Sequence, residues 1–304
     1  MDPLGRTICR ARFRALRRRT LPASIAALAV VLWSSSSAEA ATARSANFEV
    51  TADSDEVARL LATCAEELRQ SLAVEWLKSD LPAWETRCIV RVDAGCDRLS
   101  GDTTYSVSSG RSFGWEMELR GPPERIVETL LPHEVLHTVL ATHFRCAVPR
   151  WADEGAALSV EPEVEQARLW AMEGPQLLCG PRQPLSDLFA CDEYPTGMEN
   201  LRAFYVHGAS ITQFLLLAGK AEFVEFISLG MQSGWDHAVR THYGFTSLAQ
   251  LESAWLDWLQ QERPVVSVTQ GELLAEAIRS PSDTSILTAE LGREPIRLSD
   301  SGAQ

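Results

Sequence analysis

Leu131-Pro132-His133-Glu134-Val135-Leu136-His137 is the stretch on which the reading of this chain turns. Apolar residues at helical spacing surround it over the segment 124–144, which is expected to be helical. On a helix His133 and His137 stand one turn apart on a single face, with Cβ atoms about 5–6 Å from each other. Two imidazoles so placed can bind one Zn²⁺ at about 2.0–2.1 Å. Glu134 then lies beside the metal position, where it can take a proton from water that the metal activates. Pro132 either starts this helix or kinks it against the preceding turn.

A catalytic zinc centre needs a third protein ligand and an open fourth position. Two residues downstream compete for the part. His143 completes the longer spacing HExxHxxxxxH of the metzincins, which double back after a glycine; here Leu140 stands at that place. On a continuing helix His143 points about 80° away from His133. Glu154 is the other, in Pro149-Arg150-Trp151-Ala152-Asp153-Glu154-Gly155-Ala156-Ala157. A second helix carrying it can pack across the first. Asp153 is its neighbour, but adjacent helical residues diverge by about 100°, which suits Asp153 to a supporting or surface position.

HExxH followed by Trp-x-x-Glu-Gly-x-Ala resembles the gluzincin zinc peptidases, or more broadly the peptidase MA-like group, over residues 130–157. The resemblance implies a zincin-like fold and hydrolysis of a peptide bond with one Zn²⁺ per chain. It implies His133, His137 and Glu154 as ligands and Glu134 as general base. It also implies an edge strand above the active-site helix that pairs with an extended peptide. Phe113, Trp115, Met117 and Leu119 alternate with Gly114, Glu116 and Glu118 just before that helix, so Phe113–Leu119 is the expected edge. An oxyanion donor is expected on a downstream helix, at Tyr205 or, about 200° round that helix, at His207. His237 and His242 are expected at the surface, and Trp151, Trp235, Trp255 and Trp258 in the core.

Outward from the motif, Asn47–Thr51 and Cys88–Val92 read as strands. Between them a long helix, capped by Asp53 or Ser54, runs to about Leu77. Gly95–Gly121 is rich in Gly, Ser and Thr and suits hairpins. The segments 150–172, 199–218, 219–229 and 247–261 carry apolar residues at helical spacing. The expected class is therefore α+β and predominantly helical: a small N-terminal sheet with a long helix over 41–121, then a helical subdomain with the zinc site over 122–262. The tail 263–304 has few aromatics and weak periodicity, so loose packing is expected there.

The 304 residues are 45% hydrophobic and 23% charged, an ordinary globular composition. A net charge of −13 argues against a nucleic-acid partner, since no basic stripe is available to neutralise phosphates. Residues 1–40 differ, with seven arginines, the apolar run Leu21–Trp33 and then Ala38-Glu39-Ala40. These read as a signal peptide. The run is 13 residues, short of the roughly 20 of a membrane span. A secreted or periplasmic protein without a stable membrane span is expected, acting on a peptide or protein. Six cysteines follow the leader, and export suggests up to three disulfides, with Cys179–Cys191 the favoured pair. Two rival readings stand beside the peptidase: a zinc-binding but inactive interaction module on the same fold, and a helical scaffold in which the HEVLH stretch is accidental.

Overall fold

The computed structural model describes residues 40–179 and 182–261. The signal-peptide and tail readings, over 1–40 and 263–304, lie outside these apart from Ala40. Among the described residues the chain is α+β and predominantly helical, with one five-stranded mixed sheet.

β1 (Ala41–Arg44) and β2 (Phe48–Ala52) open the sheet as an antiparallel pair. α1 (Asp55–Leu77) follows, with the Ser54 hydroxyl accepting from the Val57 amide at 3.2 Å and Asp55 and Glu56 in its first turn. β3 (Cys88–Asp93) returns parallel to β2. β4 (Ser100–Ser108) and β5 (Arg111–Arg120) form a hairpin, turned by Ser109 and Gly110, both at positive φ. The strand order is β1-β2-β3-β5-β4. β5 is therefore interior, and the edge on that side is β4. This corrects the expectation for Phe113–Leu119.

A bulge alters β5 as well. Gly114 and Trp115 together oppose Tyr105, and Gly114 takes φ +67°. The extra residue shifts the side-chain phase by one. Trp115, Met117 and Leu119 face the core, Phe113 is 44% exposed, and Ser112 turns inward to donate to the Ala141 carbonyl at 2.8 Å.

The helical part begins with α2 (Pro123–Arg125), a π-helical turn over Ile126–Leu130, and α3 (Leu131–Phe144), all one continuous path. Pro132 has no N–H for the Glu128 carbonyl and would crowd it in a regular helix. The wider turn, closed from the Leu131 amide to the Ile126 carbonyl, absorbs the misfit. α3 is buried nearly all round, as suits a helix at the centre of a domain. Leu131, Val135, Leu136 and Val139 join Phe48, Val50, Val90, Met117 and Leu119 of the sheet and Leu61 and Trp76 of α1 in one core. α4 (Arg150–Ser159) and α5 (Glu163–Cys179) divide the expected segment 150–172, because Pro162 interrupts it. α6 (Leu185–Phe189), α7 (Met198–Leu215), α8 (Lys220–Ser233), α9 (Trp235–Tyr243) and α10 (Leu248–Gln261) complete the chain.

No helix among the described residues is long and apolar enough to cross a membrane. The expected disulfide framework is not formed among them: Cys64 on α1, Cys88 on β3, and Cys96, Cys146 and Cys191 in three different connections are free thiols. Burial pushes the Cys88 thiol up to about 12, so it serves as a small apolar residue of the sheet. The Cys179–Cys191 pairing involves a side chain outside the described set.

Candidate metal centre

α3 and α4 meet with His133, His137 and Glu154 facing one another, their ligating atoms all within 4.8 Å and all three side chains buried. Glu154 Oε2 lies 3.7 Å from His133 Nε2 and 3.9 Å from His137 Nε2. Tetrahedral ligands about 2.0–2.1 Å from one ion would stand about 3.4 Å apart, so a small contraction suffices. Each remaining ligand atom is held from outside. Glu161 Oε1 lies 2.7 Å from His133 Nδ1, and Asp153 Oδ1 lies 2.9 Å from His137 Nδ1. Tyr194 donates its hydroxyl to Glu154 Oε1. These contacts aim both Nε2 atoms and one carboxylate oxygen at the same point.

The charges point to a cation. Glu134, Asp153, Glu154 and Glu161 are all buried around two imidazoles, a costly arrangement unless a positive charge sits among them. Burial disfavours a charged His137, but Asp153 and Glu154 overcome it and carry the ring up to about 9. Burial likewise opposes the Glu154 carboxylate, yet the two histidines beside it hold its pKa below the usual range. Among the described residues Glu154 Oε2 makes no hydrogen bond. A divalent metal fits this donor set, and it would take the place of the proton that His137 otherwise keeps.

Glu134 lies beside the trio. Thr103 of β4 donates to Glu134 Oε2 at 2.7 Å. Gly101, two residues back on the same face, leaves room for Oε1: a Cβ there would stand 2.3 Å from it. The edge strand thus bears directly on Glu134. His143, by contrast, is exposed near the end of α3, because the helix runs on through Leu140 to Phe144. Tyr205 is buried with Leu158, Leu169, Leu201 and Ala209, and its ring stacks on Tyr194 at 6.1 Å. The phenol bonded to a ligand is thus Tyr194, with Tyr205 behind it. His207 is buried on α7 against Trp255, where burial and the nearby Arg182 bring it down to about 4. His237 is exposed, and His242 is paired with Glu222 at 2.7 Å. Trp151 and Trp255 are fully buried, while Trp235 and Trp258 pack against the core.

Sequence reasoning missed Thr103, Gly101, Glu161 and Tyr194. Glu161 and Tyr194 stand in connections between helices, which carry no periodic signal.

Gly155 sets the approach of α4 to α7. A Cβ on it would meet Thr212 Oγ1 at 2.2 Å and the Gly208 carbonyl oxygen at 2.7 Å. The second of these is backbone and cannot rotate away. Gly155→Ala is therefore expected to cost about 1–3 kcal/mol, read as a Tm lower by roughly 2–10 °C. A melt within 1 °C of wild type would show that the two helices can separate freely. The outer carboxylates make a separate expectation. Asp153→Asn and Glu161→Gln should each weaken metal binding by about 10–100-fold, measured by competition with a chromogenic chelator.

No family model, curated protein or solved structure matches this chain.

Proposed function

We propose that this chain is a zinc-dependent peptidase of the gluzincin kind, acting outside the cytoplasm. The observation that carries the reading is the convergence of His133, His137 and Glu154 beside a buried Glu134 that the edge strand holds by Thr103. When bound, Zn²⁺ would polarise the scissile carbonyl and make its attacking water more acidic.

The chain's own residues do the rest. His133 and His137 would hold the ion through Nε2, because Glu161 and Asp153 occupy the other ring nitrogen, and Glu154 would hold it through Oε2, because Tyr194 occupies Oε1. Glu134 takes the proton of the attacking water and delivers it to the leaving amine, and Thr103 fixes the carboxylate for that transfer. β4, the edge of the sheet among the described residues, offers backbone groups to an extended peptide. Tyr205 acts in this reading through Tyr194, on which it stacks, in place of the direct oxyanion contact first expected of it. Export fits the arginine-rich leader.

Metal analysis of the purified protein, joined to turnover of a mixed peptide library, tests the reading. One zinc per chain with cleavage is expected. Zinc without cleavage would favour the inactive interaction module, and absence of stoichiometric zinc would remove both.

A further inference from the structure

Arg150 begins α4, four residues before Glu154, so the two stand on one face with Cβ atoms about 5–6 Å apart. It is only 8% exposed. A guanidinium so far removed from water ordinarily pairs with a carboxylate. Among the described residues Arg150 makes no hydrogen bond and no ion pair. Its contact is the Tyr194 ring, whose centroid lies 4.9 Å from Cζ. Burial works against the charge, but Tyr194, Asp153 and Glu154 raise its pKa above the ordinary value.

The nearby acids have other duties. Glu154 gives one oxygen to Tyr194 and turns the other to the two Nε2 atoms, while Asp153 is spent on His137. Across the site stands Tyr105, also buried and within electrostatic reach of Arg150, Asp153 and Glu154. Tyr105 shares the inner face of β4 with Gly101 and Thr103, the residues that border Glu134. The inner face of β4 thus leads from Glu134 at one end toward Arg150 at the other.

We propose that Arg150 receives a carboxylate of the substrate close to the scissile bond, either the C-terminal carboxylate or an acidic side chain. The proposal rests on the peptidase reading for its substrate and adds a class to it. A planar fork set over an aromatic ring matches the two oxygens of a carboxylate. Asp153 and Glu154 limit the loss when the site is empty, but neither pairs with the fork and so neither blocks it.

Calorimetric titration tests this with zinc-loaded Glu134→Gln protein, in which turnover does not blur binding. Three probes suffice: acetyl-tetraalanine, its C-terminal amide, and the same amide with glutamate as last residue. At least one of the two carboxylate probes, the free acid or the glutamate amide, should bind about 10–100-fold more tightly than the alanine amide. Adding Arg150→Gln should remove that difference. Arg150→Lys, which keeps the charge near Asp153 and Glu154 but loses the fork, should fold and lose most of the preference; it carries the test if Arg150→Gln does not fold. The glutamate amide identifies the source, binding more tightly than both alanine peptides if side chains are read and like the alanine amide if chain ends are.

Equal binding of all three probes, or a preference that survives both substitutions, would overturn the proposal; in the latter case the carboxylate sits on the metal. Wild-type turnover of the same peptides separates the two ideas. Cleavage with no Arg150-dependent preference removes the carboxylate site and leaves the peptidase. An Arg150-dependent preference in binding with no cleavage of any library peptide removes the peptidase and leaves a carboxylate-binding site.

Discussion

Glu134→Gln protein is expected to fold, to carry one zinc per chain, and to lose peptide hydrolysis by about 10²–10⁴-fold. The metal should stay because the donor trio is His133, His137 and Glu154, and Glu134 lies outside it. The fold should stay because glutamine has the same shape and keeps an oxygen that can accept from Thr103, now 2.7 Å away. What disappears is a group that accepts a proton at neutral pH. Turnover of a peptide library, with the zinc content of each sample measured alongside, checks the expectation. Equal hydrolysis by variant and wild type would remove Glu134 as the base. A milder variant separates position from chemistry. Thr103→Val leaves the carboxylate but removes the hydroxyl bonded to Oε2, and it should lower kcat with little change in KM.

The second large effect concerns the metal itself. Glu154→Gln removes a negative charge at hydrogen-bond distance from Tyr194 and 3.7–3.9 Å from both Nε2 atoms. Zinc affinity should fall by more than the roughly 10–100-fold expected for the outer carboxylates. His143→Ala should leave it unchanged, since that ring is exposed near the far end of α3. Chelator competition on both proteins decides the matter. Loss of zinc from His143→Ala with retention in Glu154→Gln would replace the gluzincin arrangement with one in which α3 doubles back.

Much of the scaffold of this site was legible in local pattern. The helical period of 131–144 and of the segment that carries Glu154 placed both elements, and α1 followed from the same signals, with its cap narrowed to Asp53 or Ser54, of which Ser54 serves. The sheet order was not legible. Nothing in the alternation from Phe113 to Leu119 distinguishes an interior strand from an edge, because both bury one face. Gly114 hid a further change: a single glycine in a strand marks a bulge only when the partner strand is known. Glu161, Tyr194 and Thr103 reach the site from 28, 40 and 31 residues along the chain from the groups they bond. Contacts of that range follow from packing and leave no trace in spacing. Asp153 was the exception, since its offset of about 100° from Glu154 already set it to one side of the metal.

The π-turn over Ile126–Leu130 works as an angular offset. One residue more than a regular turn is spent there, and each residue is worth about 100° of rotation. Ile126, inside the core, fixes the earlier part of this long helix against its surroundings, while the later part presents His133, Glu134 and His137 toward α4. Were the turn to relax to regular geometry by losing one residue, the later part would swing round by about that angle, and the two rings would turn away from Glu154. The direction of the chemistry and the anchoring of the helix are thereby uncoupled, and the hinge between them is a single residue long. Pro132 keeps the setting, because a regular turn at that point is the one conformation its ring opposes.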